Sequence, residues 1–130
     1  GGSRWWEASG TFWLDFSSPI SAFGFYGTDI GDFNGQLTVA LRNAVTSAIT
    51  NVVINNTKNG PNGSLLFWGF IDPSASYDRI TFGNTNAGTD GFGFDSMTIG
   101  DREQVRVPEP LTISLLGLGL LAAARRRRRS

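Results

Sequence analysis

Apolar and polar residues alternate with a period of two through most of the first hundred positions, which is the spacing of half-buried strands. In "TFWLDF", Phe12, Leu14 and Phe16 share one face while Trp13 and Asp15 take the other. "SAFGFYG" sets Phe23 and Phe25 together, and "GQLTVALRN" aligns Leu37, Val39 and Leu41 against Gln36, Thr38 and Ala40. "TNVVIN" is a short β-branched run. "SLLFWGFI" is apolar on both faces, which predicts a central strand. "YDRITFG" and "FGFDSMTIG" complete about seven strands, separated by segments dense in Asn, Asp, Gly and Pro such as "TDIGDFNG", "NNTKNGPNG" and "NTNAGTDG". "QLTVALRNAVTSAITNVV" alone offers a helical alternative, and its Thr, Val, Ile and Asn content favours strands. The pattern predicts an all-β domain over residues 1–104, an antiparallel β-sandwich of jelly-roll type.

The pattern changes character at the end of the chain. Residues 105–110 read as a linker ending in Pro108-Glu109-Pro110. Residues 111–124 are apolar except for Thr112 and Ser114, and Arg125, Arg126, Arg127, Arg128 and Arg129 follow before Ser130. As a helix the apolar run would be about 21 Å long, short of the roughly 30 Å of a bilayer core. It is apolar all round, unlike the amphipathic helix of a soluble core, and it stops in charges that no core accepts. The run therefore predicts a short hydrophobic helix that associates with a membrane. The arginines hold the 125–130 end cytoplasmic and leave the body outside.

A Pro-Glu-Pro triplet, a short apolar helix and a terminal arginine cluster, in that order, resemble the PEP-CTERM sorting signal of Gram-negative bacteria. The resemblance implies an exported protein. Its precursor would sit transiently in the inner membrane, where an exosortase, a membrane-embedded transpeptidase-like enzyme, recognises Pro108, Glu109 and Pro110. The product would go to the cell surface or to an extracellular matrix of biofilm and exopolysaccharide. The prolines lack N–H donors and favour extended backbone, which keeps the triplet out of the following helix and presents Glu109. "PISAFGFYGTDIGDFNGQLTVAL" and "DGFGFDSMTIG" also resemble segments of β-sandwich bodies in that family, where a second acidic residue is usual at the position of Ser96.

Composition narrows the chemistry. The 130 residues suit one domain and contain no Cys and no His. Thiolate and imidazole nucleophiles, Cys/His zinc sites and a Ser-His-Asp triad are thereby excluded. Residues 1–110 hold 6 basic and 11 acidic side chains, an acidic surface unsuited to nucleic acid. The three glutamates are Glu7, Glu103 and Glu109, and nothing pairs two carboxylates for glycoside hydrolysis, so no enzymatic activity is expected. "GGSRWWEASG" has neither initiator Met nor an apolar leader, which reads as a fragment lacking its front end and signal peptide.

The expected role is a structural or adhesive matrix protein. One alternative is a calcium-dependent carbohydrate-binding module. Its calcium ligands would come from Asp29, Asp32 and Asn34, joined by Asp90 and Asp95, and its sugar-stacking platform from Trp5 and Trp6. The competing use of those Asx residues is turn capping. Another alternative is a surface protein whose tail is never removed.

Overall fold

The computed structural model describes residues 6–32, 34–56, 58, 63–86 and 91–105. Eight strands form in the order β1 (Trp6–Ser9), β2 (Phe12–Ile20), β3 (Ala22–Thr28), β4 (Leu37–Asn43), β5 (Ile49–Val53), β6 (Leu65–Ile71), β7 (Tyr77–Asn84) and β8 (Gly91–Gly100). A single helical turn, α1 (Arg102–Val105), follows. All strand pairs are antiparallel. β1 pairs with β8, β2 with β7, β3 with β6 and β4 with β5, as if one long hairpin had been folded at its middle. Rolling that hairpin adds the β3–β8 and β4–β7 pairs and gives two four-stranded sheets, β1-β8-β3-β6 and β2-β7-β4-β5. That is the jelly-roll order expected of the sequence.

The alternation decides which side faces in. Phe12, Leu14 and Phe16 of β2, Phe23 and Phe25 of β3, Leu37, Val39 and Leu41 of β4, and Phe92 and Phe94 of β8 all join the core. Phe82 on β7 is wholly buried at its centre. Its ring stacks on Phe12 at 4.6 Å and meets Phe25 and Phe94 of the opposite sheet edge-on at 5.5 and 5.6 Å. "QLTVALRNAVTSAITNVV" resolves into β4 and β5. The sequence pattern passes over β1, whose four residues are too few to display a period. The helical turn α1 lies across the boundary between predicted sandwich and linker. There Asp101 accepts from the N–H of Glu103 and Gln104, and the Gln104 amide oxygen accepts from the Asp101 N–H, a reciprocal cap.

"SLLFWGFI" is not central as its composition suggests. β6 is an edge strand, paired only with β3 within the sheets. Leu66, Trp68 and Phe70 pack on the core, while Leu65, Phe67 and Ile71 face outward and are mostly exposed.

Two buried polar side chains close the ends of the sandwich. Ser21 donates to the carbonyl of Ala75 at 2.7 Å, its N–H bonds Gly100 O, and its carbonyl accepts from Asp72 N–H. At the opposite end Asn56 accepts from the Leu37 N–H at 2.8 Å and donates to the carbonyls of Ile30 and Gly35. Near Ser21, the Asp72 carboxylate accepts from the Ser74 N–H and hydroxyl, the Ala75 N–H and the Tyr77 hydroxyl. Hydrogen bonds from Ser74, then from Tyr77, hold Asp72 below the ordinary carboxylate value. Burial, then the Asp72 carboxylate, pushes the Tyr77 phenol up to about 12.

On β8, Thr98 pairs with Gly24 but Asp95 pairs with Tyr26, so β8 carries one residue more than β3 over this step. Ser96 absorbs the bulge in a left-handed conformation, φ 53°.

Three outcomes are expected. Asn56→Ala strips partners from one backbone N–H and two carbonyls and should lower the unfolding free energy by roughly 2–4 kcal/mol in a denaturant titration. Ser96→Gly relieves left-handed strain and should raise it by about 1 kcal/mol. For Tyr77 the folded pKa is raised, so its contribution is complete below pH 10 and lost between about 10 and 12. Asp72 is lowered, so its contribution is present above about 3.9 and lost as pH falls through the folded value. The melting temperature should therefore fall at both extremes, and Tyr77→Phe should abolish the alkaline limb while only weakening the acid one, where the Ser74 hydrogen bonds to Asp72 remain.

Candidate functional site

Among the described residues, a contiguous strip of exposed apolar side chains lies on the outside of the β1-β8-β3-β6 sheet. Tyr26 on β3 and Leu65, Phe67 and Ile71 on β6 stand outward with 44, 74, 62 and 72% of their surface exposed. Register places them side by side, because Tyr26 opposes Phe67, Thr28 opposes Leu65 and Ala22 opposes Ile71. The Tyr26 and Phe67 rings touch at a centroid distance of 4.9 Å and form a ridge. On one side of it lies an open, almost wholly apolar groove of about 640 Å³, lined by Gly24, Phe67, Gly69, Ile71, Thr98 and Ile99. On the other lies a groove of about 520 Å³ bordered by Tyr26, Thr28, Leu65, Asp95 and Ser96.

The floor of the first groove is glycine. Gly24 and Gly69 are direct cross-strand partners, and the Phe67 ring lies over Gly24. A Cβ on Gly69 would come within 2.8 Å of the Phe23 carbonyl oxygen, so the close approach of these strands requires a bare backbone there. The sequence signal for this surface was present in "SLLFWGFI", whose apolar residues on both faces leave one side uncovered once the strand is at an edge.

The opposite outer face is built differently. Arg79 pairs with both oxygens of Asp15, and Arg42 meets Asp78 at 2.7 Å. These guanidinium hydrogen bonds hold both carboxyls below the ordinary aspartate value. Trp13 stands beside them, 57% exposed, with the Arg79 guanidinium 5.7 Å from its ring centroid. Trp13 thus stands with Asp15 on the outer face, opposite Phe12, Leu14 and Phe16.

Among the described residues no three Asp, Glu, His or Cys side chains come together to hold an ion. Asp29 sits in left-handed backbone at φ 67° and accepts from the Gly63 N–H at 2.7 Å. Asn34 is likewise left-handed at φ 54°, Asp32 lies exposed in the same loop, and Asp95 accepts from the Ser96 N–H on β8. These are backbone roles that Asx side chains fill in turns. Of the proposed stacking residues, Trp6 is 41% exposed and packs its ring on Phe12 at 4.5 Å and Phe94 at 6.4 Å, closing one flank of the core. Asp90, Trp5, Pro108, Glu109, Pro110 and Arg125–Arg129 lie outside the described residues.

Among the described residues, no helix is long and apolar enough to cross a membrane. No curated protein and no solved structure matches the chain. A family model does: residues 106–129, beginning one residue after α1, match the PEP-CTERM protein-sorting motif. The chain is a jelly-roll body carrying a PEP-CTERM sorting signal, hence a protein exported and sorted by exosortase.

Proposed function

We propose that the exported body is a non-enzymatic structural or adhesive component of the cell surface or of an exopolysaccharide-containing matrix, acting through the outer face of the β1-β8-β3-β6 sheet. The observation that carries this reading is the exposed strip of Tyr26, Leu65, Phe67 and Ile71 with its flanking grooves. Soluble monomers rarely leave a contiguous apolar patch of this kind in water, and such patches mark contact sites. The non-catalytic part of the proposal is supported by a sequence without Cys or His and by carboxylates engaged elsewhere: Asp15 by Arg79, Asp78 by Arg42, Asp72 by Ser74 and Tyr77.

One observation favours a second reading, recognition of a saccharide. Trp13 offers an exposed indole beside a guanidinium and a carboxylate, which is the combination of apolar face and polar rim that a sugar ring uses. This platform lies on the opposite sheet from the apolar strip, so the two readings separate by mutation.

Fractionation of the source bacterium's matrix decides between them. The wild-type body is expected in the matrix fraction, and Tyr26→Ser with Ile99→Ser should reduce its retention several-fold at an unchanged melting temperature. Retention equal to wild type in that variant, with loss in Trp13→Ala, would transfer the function to the saccharide platform. Retention unaffected by either change would remove both.

A further inference from the structure

Each open edge of a sheet is a row of unpaired N–H and C=O groups, and proteins ordinarily blunt such edges with brevity, charge, proline or bulges. This sandwich has four edge strands. β1 has only four residues and includes Glu7. β2 contains Asp15 and Pro19, and its pairing with β7 shifts register between Asp15 and Ile20. β5 has five residues, with Thr50 and Asn51 among them. β6 has none of these devices. Its seven residues, "LLFWGFI", hold no charge, no proline and no polar side chain, and its ladder with β3 runs from Leu65 to Ile71 without interruption. Among the described residues, the strand that carries the exposed apolar strip is therefore also the one whose edge lacks these devices.

We infer that β6 is a self-association edge: two copies of the body pair β6 to β6 antiparallel and join their sheets into one of eight strands. The register follows from two constraints. Core-facing and outward residues must stay on their own sides, so odd positions oppose odd and even oppose even. Full overlap of the seven residues then centres the two-fold axis on Trp68, which sets Leu65 opposite Ile71 and Phe67 opposite Gly69 of the second copy. The outward ring of Phe67 would lie across from a glycine of the other copy, as it already lies over Gly24 in its own.

Electrostatics permit this contact, because the neutral edge opposes no like charges although residues 1–110 together are acidic. Its size sets the strength. An edge of seven residues is about 24 Å long, and across two sheets stacked about 10 Å apart it offers on the order of 500 Å² per copy. A standard stable interface buries about 800 Å² per partner. The pair is thus a reversible, concentration-dependent one, suited to multivalent assembly.

The absence of cysteine makes the test clean. In the processed protein recovered from outside the cell, Leu65→Cys/Ile71→Cys should form disulfide-linked dimers under oxidising conditions, because directly opposed residues have Cα atoms about 5 Å apart. Either single cysteine sits about 20 Å from its own mate in this register and should form far less. Sedimentation velocity should give a dimer for wild type that dissociates on dilution, and a monomer for Phe67→Lys with an unchanged melting temperature. The cysteine result stands even where Phe67→Lys does not fold. Equal cross-linking of double and single variants overturns the inference, as does a wild-type monomer at high concentration. Matrix retention is a separate readout, so a matrix role can fail while the dimer is found, or the reverse.

Discussion

The structure turns on the contact of Phe82 with both sheets. Its ring stacks on Phe12 beside it and takes the edges of Phe23, Phe25 and Phe94 from the sheet opposite. Aromatic pairs in such offset and edge-on geometries add to the burial of their large surfaces. A body of this size has room for one core, so once that aromatic layer forms, every strand must direct its alternate residues toward it. The jelly-roll winding is the consequence: the paired hairpin β1·β8, β2·β7, β3·β6, β4·β5 folds over to place four strands on each side of the layer. Ser21 and Asn56 then close the two ends with hydrogen bonds that no apolar residue could make.

Satisfying the inner faces leaves the two outer faces to different chemistry. The β2-β7-β4-β5 side carries the Asp15–Arg79 and Asp78–Arg42 pairs beside exposed Trp13, Ile49 and Val53, and these exposed pairs contribute little to stability. The β1-β8-β3-β6 side has no equivalent along β6. There the alternate residues are Leu65, Phe67, Gly69 and Ile71, and the glycine draws β6 and β3 close while leaving a recess in the surface. A strand with that composition wastes apolar surface in water. Its retention at an edge is better explained by what it meets outside the monomer than by the monomer's own stability.

The core was legible in the sequence because period-two alternation reports directly on which face is buried. Phe12, Phe23, Phe25, Leu37, Val39 and Leu41 fall where the alternation puts them. Edge or centre is a different matter. "SLLFWGFI" reports that both faces are apolar, but lateral position depends on which strands pair at long range, and a single strand's composition does not encode that. The positive-φ residues show a similar limit. Asp29, Asn34 and Ser96 look like ligands or hydroxyls when read as side chains, whereas the structure uses all three in left-handed backbone. An acid at position 96 would also suit that backbone, since Asp tolerates it better than most residues. The sorting signal was legible for the opposite reason: its order of triplet, apolar run and arginines is one-dimensional and is read by another protein as sequence.

The two halves of the chain constrain each other through the short distance between them. β8 and β6 run in the same direction, and Ala22 opposes both Gly100 and Ile71, so the chain leaves the sandwich at the Ile71 end of the β6 edge. Only two residues separate Val105 from Pro108, so the folded body lies within roughly 10 Å of the Pro-Glu-Pro triplet of the sorting motif. Antiparallel pairing through β6 reverses one copy relative to the other and places the two exits at opposite ends of an edge about 24 Å long. Self-association through β6 would therefore set the two sorting motifs apart, at opposite ends of the joined edge.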